Sequence, residues 1–448
     1  MQRRTFLKSG ALALVTMGLS PSFLRRSAFA QELTRGAATR GARGGKVLVC
    51  LFQRGAADAL NVIVPFGDRD YYGLRPNIAV PEPGRPNGAL DLDGHFGLHP
   101  ALGALKPVWD RGLLAPIHAV GSPSATRSHF DAQDFMETGT PDVKGTRDGW
   151  LNRYLALKGT CEDGCATHAA SGPNAGGQGA GLVDAHGHPI KDSPFRAVAM
   201  TQQTPRTMEG PAPTVAMNSI DEFTIRAAGG DAERRLEALY TTGSADLIHA
   251  SGTEMFEAMK VLRAADPRKY TPENGADYPK SQFGQRLLQI AQLIKANVGM
   301  EIAFADVGGW DTHVNQGGAT GQLANRLGDF GSSIAAFVAD LGDRMDDVLV
   351  LTMSEFGRTA RQNGNGGTDH GHAGSMFAIG GGVQGHKVHG RWPGLAPEQL
   401  NEGRDLALTT DFRAVFSEVA EKHLGAVSTA RLFPGYTGNS RDWIGVLG

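Results

Sequence analysis

The sequence predicts an α/β fold built on a mostly parallel sheet. Short, continuous apolar runs such as 46–52 and 348–353 are typical of strands that are buried on both faces. Between such runs, the segment 323–341 repeats apolar residues every three or four positions, which is the helical period. Because strands that alternate with helices build parallel sheets, this half of the chain favours an α/β architecture.

The predicted elements follow one another over most of the chain. Strand-like runs cover 46–52, 113–120, 300–307, 348–353 and 376–379, and helical spacing covers 101–111, much of 219–297 and 323–341. A last helix is expected to begin near Thr410 and Asp411, whose side chains can cap free amides, and to end at Gly425. The segment 219–297 is predicted to be a helical cap, and the glycine-rich stretch 159–181 a surface insertion. We therefore expect one domain over 46–448 that carries these two insertions.

The amino terminus has the pattern of a twin-arginine signal peptide. Arg3 and Arg4 precede an apolar stretch at 11–19, and Ala28 and Ala30 form a cleavage pattern of small residues. We expect cleavage after Ala30, followed by a linker over 31–45. The apolar stretch is too short for a good membrane span, although a retained anchor is the alternative. The expected route is the twin-arginine translocation machinery, with a periplasmic or secreted product and no permanent membrane anchor.

Net charge limits the classes of partner that are expected, and the cysteine content limits the expected disulfide and metal chemistry. The formal net charge of -2 gives no global electrostatic attraction to nucleic acid, so a small-molecule substrate is expected. Of the three cysteines, Cys50 lies in an apolar run and is predicted to be core. Cys161 and Cys165 could form a local disulfide in an oxidising compartment, and a Cys-His metal site with His168 is the less favoured interpretation.

Two polar clusters indicate a divalent-metal site. Asp369 and His370 lie in a glycine-rich run at 364–372, and Asp311 and His313 lie upstream, after another apolar run. A pair of metal ions needs about five to seven Asp, Glu and His ligands from separate loops. The predicted ligands are Asp58, Asp311, His313, Asp369 and His370, with His372, His386 and His389 as candidates for a remaining imidazole. For each histidine a purely structural role is the alternative.

Polar clusters follow the predicted strands that end near Phe52, Val120, Val307 and Met353. In open parallel sheets, ligands bind beyond the carboxyl ends of the strands. We therefore expect these loops to converge on one site.

Five motifs carry a resemblance to a known family. They are QRGAADALNVIVP at 53–65, ATRSHFD at 125–131, GGWDTH at 308–313, SEFGRT at 354–359 and GTDHG at 367–371. In content and order they resemble the twin-arginine-exported proteins grouped as domain of unknown function 1501. That family is placed in the alkaline phosphatase-like superfamily, with sulfatases and cofactor-independent phosphoglycerate mutases. The resemblance implies a three-layer α/β/α sandwich of alkaline phosphatase-like type and two divalent ions (zinc, manganese, calcium or iron), but no known substrate.

The resemblance also implies how the ligands divide between two ions. Asp58, Asp369 and His370 would hold one ion, and Asp311 and His313 the other. The chain departs from the superfamily pattern by having Asp-x-His where Asp-x-x-x-His is usual. Ala59 also stands where relatives commonly have glycine.

A superfamily enzyme needs a nucleophile on the loop after the second strand. Ser128 is the first candidate and Thr126 the second, with a helix cap as the alternative role of Ser128. Because this loop has no cysteine, a formylglycine made from cysteine is excluded. Arg127 is expected to bind substrate oxygens, and His129 to act as an acid or as a ligand.

Three further residues are expected to support the ligands or to contact substrate, namely Asn61, Glu355 and Arg358. A surface ion pair is the alternative for Glu355 and Arg358. The expected function is that of an exported metal-dependent hydrolase acting on a phosphate or sulfate ester. The alternative is a non-catalytic, metal-binding exported protein that serves as a binding or assembly factor.

Overall fold

The computed structural model describes residues 45–165, 193, 195–221, 270–426 and 428–448. The predicted signal peptide, the linker as far as residue 44, most of the 159–181 insertion and residues 222–269 of the predicted cap lie outside the described residues. So do the side chains of Cys161 and Cys165. The chain divides into a larger compact unit, made of 46–146, 272–288 and 304–448, and a smaller unit made of the remainder.

The fold is α/β with a large, mostly parallel sheet, as predicted. The larger unit has the strands β1 (Val47–Arg54), β2 (Ile63–Val64), β3 (Leu90–Asp91), β4 (Gly97–Leu98), β5 (Leu114–Gly121), and the smaller unit has β6 (Ala197–Ala199) and β7 (Val215–Ala216). Later in the chain come β8 (Ile302–Gly308), β9 (Val348–Met353), β10 (Gly374–Gly380) and β11 (Thr410–Asp411). The main sheet of the larger unit runs β11-β5-β10-β9-β1-β8, and β2, β4 and β3 form a small antiparallel sheet. The five predicted strands are β1, β5, β8, β9 and β10, and each predicted end lies within two residues of the observed one.

The strand directions bring several loops to one edge of the sheet. Strand β1 is parallel to β9, with Val47 opposite Val348, whereas β10 is antiparallel to both β9 and β5. The strands β1, β5 and β9 therefore point the same way, and their carboxyl ends share an edge. Because β10 runs the other way, the residues that precede it lie at that same edge.

The helices are α1 (Ala59–Val62), α2 (Arg69–Leu74), α3 (Lys106–Asp110), α4 (His129–Thr138), α5 (Trp150–Cys165), α6 (Gln282–Lys295), α7 (Gln322–Leu341), α8 (Phe412–Lys422) and α9 (Thr429–Leu432). Helix α7 is the one predicted over 323–341, and α6 lies within the described part of the segment 219–297 that is predicted to be a cap. Short 3-10 turns cover Pro100–Leu105, Arg206–Met208, Gly342–Asp346, Pro397–Gln399 and Ser440–Asp442. Among the described residues no helix is long and apolar enough to cross a bilayer.

One predicted helix differs from the structure for a local reason, whereas the start of the last helix agrees with its prediction. The single helix expected over 101–111 is a 3-10 turn followed by α3, because Pro107 has no amide hydrogen with which to continue one α-helix. The last helix begins after Asp411, whose side chain accepts from the amide of Arg413. Thr410 and Asp411 also form the short strand β11, which pairs with β5 at Val120.

The smaller unit pairs β6 with β7 in parallel. Its charged side chains meet at Glu301, which accepts from Arg196 at 2.5 Å and from Lys158 at 2.7 Å. Although burial raises the pKa of Glu301, these two cations bring it below its usual value. This cluster is an ion-pair network in which one carboxylate accepts from two cations.

Candidate metal centre

Three loops of the larger unit bring imidazole and carboxylate groups together. His129 is the first residue of α4, Asp311 follows β8, and His370 lies just before β10. Ligand atoms of these three residues all lie within 4.8 Å of one another. The expected convergence of the loops at one edge of the sheet therefore holds for these residues.

The contacts within the cluster centre on Asp311 and His370. The Nε2 atom of His370 lies 3.0 Å from Nε2 of His129 and 3.2 Å from Oδ1 of Asp311. The other oxygen of Asp311, Oδ2, lies 3.4 Å from Nε2 of His129. His313 extends the group, since its Nε2 lies 3.0 Å from both His370 Nε2 and Asp311 Oδ1.

Each of the three imidazoles uses its other ring nitrogen to contact an oxygen that can only accept. His129 Nδ1 lies 2.8 Å from Oε1 of Glu355, and His313 Nδ1 lies 3.0 Å from Oδ1 of Asp369. His370 Nδ1 lies 2.9 Å from the carbonyl oxygen of Arg127. An ionised carboxylate or a carbonyl has no hydrogen to give, so each Nδ1 is the donor.

A neutral imidazole that donates from Nδ1 presents a lone pair at Nε2. When all three rings are neutral, their Nε2 lone pairs and the Asp311 carboxylate therefore face one another at about hydrogen-bonding distance. Such an arrangement is repulsive unless protons or a cation lie among the groups. Imidazole nitrogens oriented by carboxylates or carbonyls are also the usual surroundings of a protein-bound transition metal. The residues thus fit a divalent ion.

Arg358 fixes the position of Asp311. Its guanidinium is fully buried and donates to Asp311 Oδ1 at 2.5 Å, and it also donates to the backbone oxygen of Thr368. Burial raises the pKa of Asp311, but the hydrogen bond and charge of Arg358 outweigh it and hold the carboxylate ionised. A Cβ at Gly55, whose φ is +118°, would stand 2.8 Å from the amide nitrogen of Asp311, so the approach of these two loops requires glycine.

Glu355 holds His129 through Nδ1, the ring nitrogen that does not face the cluster. It is fully buried and also accepts from the amide of Gly55 and from Gln133, both at 2.9 Å. The hydrogen bond to Glu355 raises the pKa of His129. In contrast, burial lowers the pKa of His370, which favours a neutral ring with a free lone pair. Glu355 and Arg358 therefore lie next to the cluster, as expected of residues that support it.

Asp58 is held in a buried ion pair. Its two oxygens accept from Arg75 at 2.6 and 2.9 Å, and its Oδ2 accepts from Gln316 at 2.6 Å. Neither Asp58 nor Arg75 is more than 1% exposed. Asn61 belongs to the same group, since its side-chain oxygen accepts from Arg75 and from Tyr71. Asp58 is thus not in the group of His129, Asp311 and His370, and its predicted role as a ligand remains a prediction.

The three candidates for a remaining imidazole lie outside the cluster. His372 Nε2 lies 3.1 Å from the carbonyl of Ser122, and His389 Nε2 lies 2.8 Å from the carbonyl of Gln384. His386 packs edge-on to the ring of Trp109. Asp369 lies beside the cluster and accepts from His313 and, at 3.0 Å, from Asn363.

The predicted nucleophile loop leads directly into the cluster. Ser128 is the residue before α4, is exposed, and makes no side-chain capping bond. Its amide donates to Oγ1 of Thr126 at 3.2 Å. Arg127 is one-third exposed and pairs through Nη2 with Glu402 at 2.8 Å and with Asp405 at 2.7 Å.

Sequence patterns did not single out Arg75, Gln316, Glu402 or Asp405, which complete these contacts. Each is distant in sequence from its partner, or is one polar residue among many. Arg75 lies 17 positions after Asp58, and Gln316 lies 258 positions after it. A single sequence holds no signal that pairs them.

The fold and this cluster define an α/β protein with a histidine-rich candidate metal centre at the carboxyl edge of its sheet. The chain belongs to the family described as protein of unknown function (DUF1501), whose family model matches residues 45–433. A comparison with the curated proteins found no match. The family membership expected from the five motifs is therefore confirmed.

Proposed function

We propose that this protein is a metal-dependent hydrolase that acts on a phosphate or sulfate ester of a small molecule. The observation that carries the proposal is the convergence of three Nε2 atoms on Asp311, at 3.0 to 3.4 Å, with each Nδ1 hydrogen donated elsewhere. A bound divalent ion would supply Lewis-acid chemistry, polarising an ester oxygen and activating a hydroxyl or water. Imidazole-rich ligands favour zinc or iron over calcium, which prefers oxygen.

The ligands of the proposed ion are His129, Asp311 and His370, with His313 as the adjoining imidazole. One ion is favoured over the two that the resemblance implies. The reason is that Asp58 is already hydrogen bonded by Arg75 and Gln316, which leaves it in an internal ion pair. The proposed role of Asp369 is to orient His313.

Ser128 is the proposed nucleophile. It immediately precedes His129 and stands at the amino end of α4, where the helix dipole favours negative charge on an oxygen. Thr126 is second, because its hydroxyl oxygen already accepts from the Ser128 amide. Arg127 is proposed to bind substrate oxygens. An anionic ester would compete with the exposed Glu402 for the guanidinium of Arg127.

A non-catalytic metal-binding protein is the second candidate. The observation that favours it is that the nearby arginines Arg127 and Arg358 are each neutralised by carboxylates of the protein itself. An enzyme for anionic esters needs positive charge that is available to substrate. Turnover by the metal-loaded protein distinguishes the two candidates.

The testing experiment measures metal content and ester cleavage on the same preparation. Mature protein from residue 31 onward, purified without added metal or chelator, is expected to contain about one equivalent of a transition metal. It should cleave an aryl phosphate or an aryl sulfate, and Ser128→Ala should keep the metal but lose both cleavage and the trapped phospho- or sulfo-enzyme. Bound metal without cleavage would support the second candidate, and no uptake of metal on titration would contradict both.

We also propose export by the twin-arginine route, supported by the paired arginines and the cleavage pattern at residues 28–30. Replacing Arg3 and Arg4 by lysine should leave full-length precursor in the cytoplasm, because the machinery recognises the arginine pair. Cell fractionation and the mass of the exported product measure this. The control is Arg25→Lys with Arg26→Lys, which makes the same two charge-conserving changes but leaves Arg3 and Arg4 intact. Equal export of both variants would contradict the proposed route.

A further inference from the structure

The two loops that carry Asp311–His313 and Asp369–His370 touch along their backbones. The amide of Thr368 donates to the carbonyl of Thr312 at 3.2 Å. At Gly367, a Cβ atom would stand 2.3 Å from the carbonyl oxygen of His313, so only glycine permits this approach. Thr312 separates Asp311 from His313, and Thr368 directly precedes Asp369. Both threonines are buried, so their hydroxyl groups need partners within the protein.

The two hydroxyl groups share one partner, the side chain of Gln316. Its Oε1 accepts from Thr312 Oγ1 and from Thr368 Oγ1, both at 2.8 Å. Its Nε2 donates to Oδ2 of Asp58 at 2.6 Å. A carboxylate only accepts, so the amide nitrogen must face Asp58 and the amide oxygen must face the threonines. With no exposed surface, Gln316 has a single orientation available.

The hydrogen bonds of the Gln316 side-chain amide lead on to further bonded groups on either side of it. Thr368 Oγ1 also accepts from Nε of Arg358 at 3.1 Å, and Arg358 in turn holds Asp311. On the other side, Asp58 is held by both terminal nitrogens of Arg75. One buried hydrogen-bonded network therefore extends from the Asp58–Arg75 pair to the carboxylate of the candidate metal centre.

We propose that Gln316 is a positioning residue for the metal centre, and that the Asp58–Arg75 pair acts as its anchor. The inference deepens the proposed function and rests on it. Gln316 ties the loop that bears Asp311 and His313 to the loop that bears His370, so that the ligands keep their separation when no ion holds them together. A site that is arranged in advance loses less conformational entropy when it binds an ion.

The test is the Zn²⁺ affinity of the full mature chain, with Zn²⁺ alone as the probe. Gln316→Met keeps the length of the side chain but removes all three hydrogen bonds, and it should weaken Zn²⁺ binding by about tenfold, a size typical of residues that orient ligands. Thr312→Val should weaken it less. In the double variant the two losses should not add, because the bond from Thr312 is already among the three that Gln316→Met removes. The control is Glu418→Gln, which weakens buried bonds from α8 to the amides of Gly445 and Leu447.

The melting temperature separates positioning from general destabilisation. Glu418→Gln should lower the melting temperature of the metal-free protein and leave Zn²⁺ affinity unchanged, whereas Gln316→Met should change both. If wild-type protein binds Zn²⁺ and Gln316→Met binds it within twofold of wild type, the positioning role is overturned while the metal centre stands. If the wild-type protein takes up no Zn²⁺, the proposed function fails and this inference fails with it. Equal losses of affinity in Gln316→Met and Glu418→Gln would also overturn the positioning role.

Discussion

Replacing Asp311 with asparagine is expected to weaken metal binding at least about a hundredfold, because it removes the only anionic group among the converging ligand atoms. Asp311 contacts all three Nε2 atoms, at 3.0 to 3.4 Å. Asparagine has the same shape, but its uncharged amide leaves the buried Arg358 without its counter-charge. Metal-dependent ester cleavage should be lost along with the ion. Equilibrium dialysis against Zn²⁺ measures the affinity, and circular dichroism checks the fold.

Asp369→Asn is the matched comparison. It makes the same chemical change in the loop before β10, next to the same cluster. Asp369 accepts from His313 and Asn363. If its role is to orient His313, the loss of affinity should be about tenfold, clearly smaller than for Asp311→Asn. If Asp369 is itself a ligand, as the resemblance implies, the two variants should lose affinity equally. That outcome would contradict the ligand set proposed from the geometry.

Replacing Arg75 with methionine is expected to lower the free energy of unfolding by about 3–5 kcal/mol, the cost of leaving one charge of a buried pair without its partner. Asp58 would keep only its bond from Gln316. Arg75 also donates to the carbonyls of Thr359 and Ala360, and these acceptors would lose a donor. Chemical denaturation of the metal-free protein in the presence of a chelator measures the effect.

Arg413→Met is the control for this prediction. Arg413 pairs with Asp411, but both side chains are partly exposed, at 13% and 23%. Removal of a pair in contact with solvent should cost about 1 kcal/mol or less. Asp58→Asn should also reduce stability while leaving metal stoichiometry unchanged. A loss below about 1 kcal/mol in Arg75→Met, or a loss of bound metal in Asp58→Asn with unchanged stability, would contradict a structural role for the pair.

Local patterns were sufficient for the strands and for the region of the site. Mostly apolar runs of six to eight residues predicted β1, β5, β8 and β9, because a strand buried on both faces has few polar positions. Polar residues after those strands predicted where Asp311, His313 and Glu355 would meet. The helix over 101–111 was predicted less well, since apolar spacing alone did not take account of Pro107. Contacts such as Gln316 with Asp58 could not be predicted, as they join residues 258 positions apart.

The sequence by itself determined the α/β class, the family and the supply of histidine and carboxylate groups. These properties depend on composition and on short-range spacing, which every segment carries independently of its neighbours. The tertiary structure alone decided which of those groups face one another. The antiparallel direction of β10 brings His370 to the edge where β1, β5 and β9 end. Asp58 is buried beside Arg75 and forms an ion pair with it, whereas His129 lies among the converging nitrogens. The sequence alone does not decide this difference, because the partners of a side chain depend on distances in space.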